Sequence, residues 1–411
     1  MSTILFTNAN VLDTVAGEIL PDRRVLVRDG RIVEMGGSDV KAGDAFALDL
    51  KGKTLMPGLC DAHVHVTTTT ADFAALARLS PFYVSAKAGE ILHGMLLRGF
   101  TTVRDAGGAD WGLAKAVAEG AIRGPRILYC GHALSQTGGH ADMRGPGEQL
   151  LDQCFCCSGF GHVCDGVAEV RRACREEIRR GATHIKLMVS GGVASPTDRI
   201  TSTQFSEDEI RAAVEEADAA LIPVMAHAYT ARAVNRAIRC GVNSIEHGNL
   251  IDETSIPLFR EHGVFLTPTL SIYQALASEG VEAGMPPELN AKVYDVLDAG
   301  IKAVELAYRG GVKMVYGTDL LGKMHRLQLG EFGLRREVVS AADLIRAATC
   351  NAAELFRMSD RIGQVAAGFE ADLLVINGNP LEDIGVMQTP ETHLKAVMKQ
   401  GVFHKNELLG V

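Results

Sequence analysis

The sequence predicts an α/β fold: a (β/α)8 TIM barrel carrying a small β-sandwich domain built from both chain termini. Two patterns point there. From Thr54 onward, eight short apolar strands alternate with helices across roughly 265 residues, close to the usual length of such a barrel. Both ends of the chain read instead as short strands separated by turn residues, with no long helical period. The expected layout is therefore residues 1–57 and 356–411 as the two parts of the sandwich, with the barrel in 58–355. A doubly wound open sheet is the competing architecture, but it places no premium on eight strands.

Composition narrows the class of function. The chain has 411 residues, 47% hydrophobic and 22% charged, as soluble globular proteins do. Its formal net charge of -9 argues against nucleic acid or an anionic membrane as partner, since both require basic patches. The N-terminus lacks the charged region, long apolar core and small-residue cleavage site of a secretion signal. No apolar run approaches the ~20 residues needed to span a bilayer. The cytoplasm is the expected location unless a signal peptide has been removed. Nine cysteines, an odd number and mostly scattered, suit buried free thiols in a reducing compartment. The exception is the cluster Cys154, Cys156 and Cys157, followed by His162 and Cys164. Cys154 and Cys157 have the spacing of half a zinc site, but the closing His-x-Cys pair follows too soon. An ordered loop with apolar thiols is the better reading, with an internal disulfide as a third option.

Taken in order, residues 4–11 form a β-rich apolar run. Residues 24–28 and 31–34 flank Asp29-Gly30, a pair that supplies the positive φ values of a tight hairpin turn. Residues 46–50 add another strand. The barrel strands are expected at 55–63, 101–104, 126–130, 184–188, 222–226, 244–246, 264–267 and 313–316. Helices are expected between them at 88–98, 114–122, 168–180, 207–219, 231–239 and 291–309. The Gly-, Cys- and His-rich stretch 135–164 reads as a long loop after strand three. After a helical stretch at 341–355, strand character returns at 368–376 and 396–403.

The chemistry lies at the strand ends. Strand one ends in His63-Val-His65, and alternation along a strand points both imidazoles the same way. Strand four carries Lys186 in an apolar frame. Strand five ends in His227, strand six in His247, and strand eight in Asp319. In a barrel these ends converge on the C-terminal face, where active sites of this fold sit. Taken singly, each has an ordinary explanation: a hydrogen-bonded core histidine, a snorkelling lysine, or a helix-capping aspartate. Those explanations would have to hold together at five strand ends, so a metal centre is the stronger reading.

In this order His63-x-His65, Lys186, His227, His247 and Asp319 resemble the binuclear amidohydrolase superfamily. Met56-Pro-Gly58 and Ala367-Gly-Phe-Glu-Ala-Asp-Leu-Leu-Val375 agree with it. Nearer still is the branch of Xaa-Pro dipeptidases and zinc carboxypeptidases, through Thr102-Val-Arg-Asp-Ala-Gly-Gly108, Lys186-Leu-Met-Val-Ser-Gly-Gly-Val-Ala-Ser-Pro196, His227-Ala-Tyr229 and Glu246-His-Gly-Asn249. Amidases acting on aromatic N-acyl amino acids, including ochratoxin hydrolases, are similar too. The resemblance covers essentially the whole chain.

It implies that His63, His65 and Asp319 hold one divalent ion, that His227 and His247 hold a second, and that Lys186, carboxylated by carbon dioxide, bridges them. Zinc suits the imidazoles, although manganese or cobalt are accepted where carboxylates dominate. Carboxylation needs a neutral amine, and burial lowers a lysine pKa. The implied reaction is hydrolysis of an amide next to a C-terminal amino acid, in a dipeptide (Xaa-Pro among them), an N-acyl amino acid or an aromatic amide. Asp319 would act as general base, His140 as stabiliser of the developing oxyanion, and Tyr229 as donor to a substrate carboxylate. Arg104 and Asp105 read as an ion pair at the barrel mouth, outside the site. The expected partner is a small-molecule or dipeptide substrate, in a homo-oligomer. Cyclic amide hydrolysis or deamination is the alternative within the superfamily, and Lys186 disfavours deamination. A non-catalytic scaffold is the alternative outside it, but no ligand position is lost.

Overall fold

The computed structural model describes residues 3–41, 43–149 and 159–408. Cys154, Cys156 and Cys157 lie outside the described residues. The chain divides into two compact units, Met1–Asp61 with His93–Thr102 and Phe332–Val411, and Ala62–Leu92 with Val103–Glu331.

In the first unit the N-terminal region supplies β1 (Ile4–Asp13), β2 (Glu18–Arg28), β3 (Arg31–Gly36), β4 (Phe46–Asp49) and β5 (Thr54–Pro57). The β2–β3 turn is made by Asp29 and Gly30, both at positive φ (50° and 77°), the two-residue hairpin that the Asp-Gly pair predicts. Three C-terminal strands join the same sheet, in the order Val402–Asn406, Leu394–Lys399, Leu373–Ile376, β5, β1, β2, β3, with β4 paired to β1. Four strand steps separate Phe6 from Phe403, about 19 Å in a flat sheet at the usual strand spacing. Their rings are 6.3 Å apart, so the sheet folds over itself and closes a sandwich-like core. Phe6, Val25, Val27, Leu55, Leu373, Val375 and Met398 fill it.

The barrel strands are β6 (Leu59–Val64), β7 (Phe100–Asp105), β8 (Arg126–Tyr129), β9 (Ala133–Ser135), β10 (Gly161–Val163), β11 (Ile185–Met188), β12 (Val224–Thr230), β13 (Ser244–Leu250) and β14 (Phe265–Thr267). They run as β6-β7-β8 and β10-β9-β11-β12-β13-β14, and the second set is parallel throughout. One continuous stretch of chain carries both β8 and β9, which joins the two sets. On the other side the extended segment 313–316 closes the ring. Met314 bridges Leu266, and the Ala62 amide donates to the Tyr316 carbonyl at 2.7 Å. The fold is a TIM barrel with a terminal β-domain.

Two expected elements shift for local reasons. Strand five starts at Val224 rather than 222, because Pro223 has no N–H to give a ladder. The stretch after strand three is not all loop, since β10 pairs in parallel with β9. Helix Glu207–Ala219 falls where its period places it, opened by a capping box between Ser206 and Glu209. Among the described residues no helix is long and apolar enough to cross a membrane.

Candidate metal centre and active site

The register of the parallel strands brings the site together. Met188 pairs with His227, and Ala228 pairs with His247, so neighbouring strands end at one level. The Asp319 amide donates to the His63 carbonyl at 2.8 Å, which ties strand eight back to strand one. His63, His65, Lys186, His227, His247, Asp319, His140 and Tyr229 all line a single cavity. The residues singled out from the sequence are thus brought together on one cavity wall.

Ring orientation makes this group a metal-binding candidate. His63 Nδ1 lies 2.8 Å from Glu246 Oε2, His65 Nδ1 is 3.1 Å from the Gly107 carbonyl, and His247 Nδ1 is 2.7 Å from Thr269 Oγ1. His227 is turned the other way, with Nε2 3.2 Å from the Gly191 carbonyl. Each ring sets one nitrogen against these partners and turns the other toward the cavity, the arrangement that fixes tautomer and direction in histidine metal ligands. The inward Nε2 atoms of His63 and His65 lie 3.4 and 3.2 Å from Asp319 Oδ1. The donor atoms of these three residues lie within 4.8 Å of one another, the only such group among the described residues. His247 stands 5.0 Å from the His63 ring and 4.7 Å from the His227 ring.

Electrostatics agrees with this. Burial holds the His227 and His247 imidazoles far below their usual pKa, so both are neutral. Burial raises the Asp319 carboxyl, but His63 and His65 outweigh it and hold Asp319 well below the carboxylate range. Burial likewise lowers the Lys186 amine, against the pull of Glu246 and Asp319. Lys186 is 1% exposed and makes no hydrogen bond or ion pair among the described residues. It does not snorkel, nor does Asp319 cap the following helical turn, where Leu321 holds that position. His247 and Asp319 both sit at positive φ (75° and 57°), a strained backbone that a packing role alone does not call for.

Arg104 and Asp105, expected as an ion pair at the barrel mouth, turn to other partners. Asp105 accepts backbone amides from Val66, Gly107 and Ala109 and so ties down the turn after strand two. Arg104 reaches into the barrel, where its guanidinium meets Glu246 Oε1 at 2.9 Å and donates to the Ala62 carbonyl at 2.7 Å. Glu246 is the residue that the sequence reading left out, although it sits beside His247. The signal was a carboxylate within an apolar strand, spaced two residues from Ser244, whose hydroxyl also donates to it at 2.6 Å.

Known proteins give the same picture. The Amidohydrolase family model matches residues 54–403. An ochratoxinase from Aspergillus niger is 34% identical over 429 aligned positions, spanning 99% of this chain and 88% of the relative. Among solved structures, a prolidase in complex with N-methylphosphonate-L-proline is 50% identical with a TM-score of 0.96, covering 98% of this chain and 100% of that one. A Xaa-Pro dipeptidase with methionine bound in its active site is 29% identical with a TM-score of 0.88, at 98% and 100% coverage. Fold, site and these matches lead to one conclusion: the chain belongs to the amidohydrolase family and is a hydrolase of amide bonds.

Proposed function

We propose that this protein is a binuclear metal-dependent amidohydrolase that releases a C-terminal amino acid from a dipeptide or an N-acyl amino acid. The observation that carries the reading is the set of inward imidazole nitrogens and the Asp319 carboxylate lining one cavity with a buried lysine that makes no hydrogen bond or ion pair among the described residues. His63, His65 and Asp319 would hold one ion, His227 and His247 the other, and Lys186, once carboxylated, would offer an oxygen to each. Zinc is the ion that suits this imidazole-rich set best. Bound there, two divalent ions supply charge that polarises a carbonyl and acidifies water.

The chain's own residues do the rest. Asp319 is placed to take a proton and return it to the leaving amine. His140 lies stacked on His227, 4.2 Å between ring centroids, with Nε2 left to face the reacting carbonyl. The Tyr229 hydroxyl, 3.1 Å from that of Tyr273, is placed to donate to a substrate carboxylate. Phe73, Phe160, Ile272, Leu276 and Leu321 give the cavity an apolar wall, which favours an apolar or aromatic group beside the scissile bond and excludes water. Proline amides and aromatic amides both meet that description, and the prolidase and ochratoxinase relatives support keeping both. We assign the catalytic barrel to 58–355, flanked by 1–57 and 356–411, working as a homo-oligomer.

The test is amino-acid release, followed by mass spectrometry, from a mixed library of dipeptides and N-acyl amino acids with zinc-loaded protein. Release confined to one class of C-terminal residue, and absent from Asp319→Asn, is expected. A library left intact by the wild-type protein would overturn the reading.

A further inference from the structure

The loop 190–203 after strand four carries a chain of buried polar groups that ends on His140. His140 Nδ1 is 2.7 Å from Ser195 Oγ, and the Ser195 hydroxyl donates in turn to Asp198 Oδ1. Gln204 Nε2 donates to Asp198 Oδ2 at 2.9 Å, while Gln204 Oε1 accepts the backbone amide of His140 at 2.9 Å. Lys292, from the 3-10 turn Ala291–Val293, donates to the Ser195 and Asp198 carbonyls at 2.8 and 2.9 Å. Its amine stands 3.7 Å from the Asp198 carboxylate. Ser195 is fully buried, Gln204 is 2% exposed and Asp198 8%.

Counting hydrogens fixes the direction of every bond in this chain. A backbone amide only donates, so Gln204 must present its oxygen to His140 and its nitrogen to Asp198. Asp198 takes the Gln204 amide on Oδ2 and the Ser195 hydroxyl on Oδ1, with the Lys292 amine 3.7 Å away, so it is an ionised acceptor. Ser195 has one hydroxyl hydrogen, and Asp198 receives it. Toward His140, Ser195 Oγ is therefore an acceptor, and His140 Nδ1 must carry a hydrogen. Nε2 has no hydrogen-bond partner among the described residues. The ring is also boxed in sterically. A Cβ on Gly192 would come within 2.1 Å of His140 Cε1, so only glycine lets the loop backbone lie against the imidazole.

We propose that Asp198 is a positioning residue that acts through Ser195 to hold the His140 ring with its hydrogen on Nδ1, leaving Nε2 as the nitrogen that meets substrate. Asp198 also stands 3.6 Å from Nδ1, so its charge favours a hydrogen on that nitrogen. The kinetic consequence rests on the proposed amide hydrolysis; the proton placement does not.

Two measurements test it. In protein labelled with 15N-histidine, the His140 ring is identified by the signal lost in His140→Gln. Its Nδ1 is expected to give the shift of a protonated nitrogen; a bare Nδ1 with hydrogen on Nε2 alone would overturn the proposal. This readout holds whether or not an amide substrate is found. With a substrate in hand, Ser195→Ala is expected to lower kcat about tenfold or more with little change in KM, and Ser195→Thr to restore most of it. Asp198→Asn added to His140→Ala should cost nothing further. Additive losses in that double variant, or failure of threonine to rescue, would mean that the chain only folds the loop.

Discussion

Glu246 joins two functions in one carboxylate. One oxygen takes the His63 ring hydrogen and the other takes Arg104, and both side chains are buried. Replacing Glu246 with alanine strands the Arg104 charge in the barrel, which typically costs about 3–5 kcal/mol. Glu246→Ala should therefore unfold at clearly lower temperature. Glu246→Gln keeps the shape but weakens the hold on His63, and zinc affinity should fall about 10–100-fold by competition with a chromophoric chelator. Unchanged affinity in a folded Glu246→Gln protein would remove Glu246 from the support of the site. The proposed ligands were legible as candidates because a strand-end position is a sequence property once the barrel strands are identified. Glu246, Ser195 and Asp198 were not, because their roles depend on which residue from a distant strand or loop faces them. His140 and Tyr229 were legible as candidates only through resemblance to related sequences.

At the scale of elements, strand and helix periodicity located most of the barrel, and the misses have local causes. The eighth strand was legible as an apolar run, and Met314 within it bridges Leu266 of the seventh strand in parallel. The helical stretch 341–355 is broken into Ala341–Ala347 and Cys350–Leu355, because Thr349 leaves the helical region and turns its hydroxyl onto the Ile345 carbonyl. Helix Gly166–Arg179 buries Cys174, and the stretch before it buries Cys164. Burial pushes both thiols up to about 12 from an ordinary 9.0. In the native protein both should resist alkylation at pH 8, and peptide mapping should find them labelled only after denaturation. Between pH 9 and about 12 the unfolded chain releases thiol protons that the folded chain keeps. These two cysteines therefore make the fold lose stability as pH rises through that window. Rapid native labelling of Cys164 or Cys174 would contradict the packing described.

For the whole molecule, the two chain ends join in one β-domain as the sequence predicts, and what was not readable is the strand pairing behind that union. It depends on pairing between β5 and Leu373–Ile376, more than three hundred residues apart, which no local pattern announces. Phe6 lies fully buried in the core that this pairing closes. Phe6→Ala should cost about 3–5 kcal/mol in unfolding free energy, measured by denaturant titration. A loss well under 1 kcal/mol would mean that the two termini do not share a core.

Whether one barrel mouth holds two metal ions to cleave an amide is decided by titrating zinc into metal-free protein while recording amino-acid release. Activity should climb until two equivalents per chain are bound, and a Lys186→Met protein should bind fewer and stay inactive. Full activity at one equivalent, or in the absence of metal, would contradict the two-metal reading.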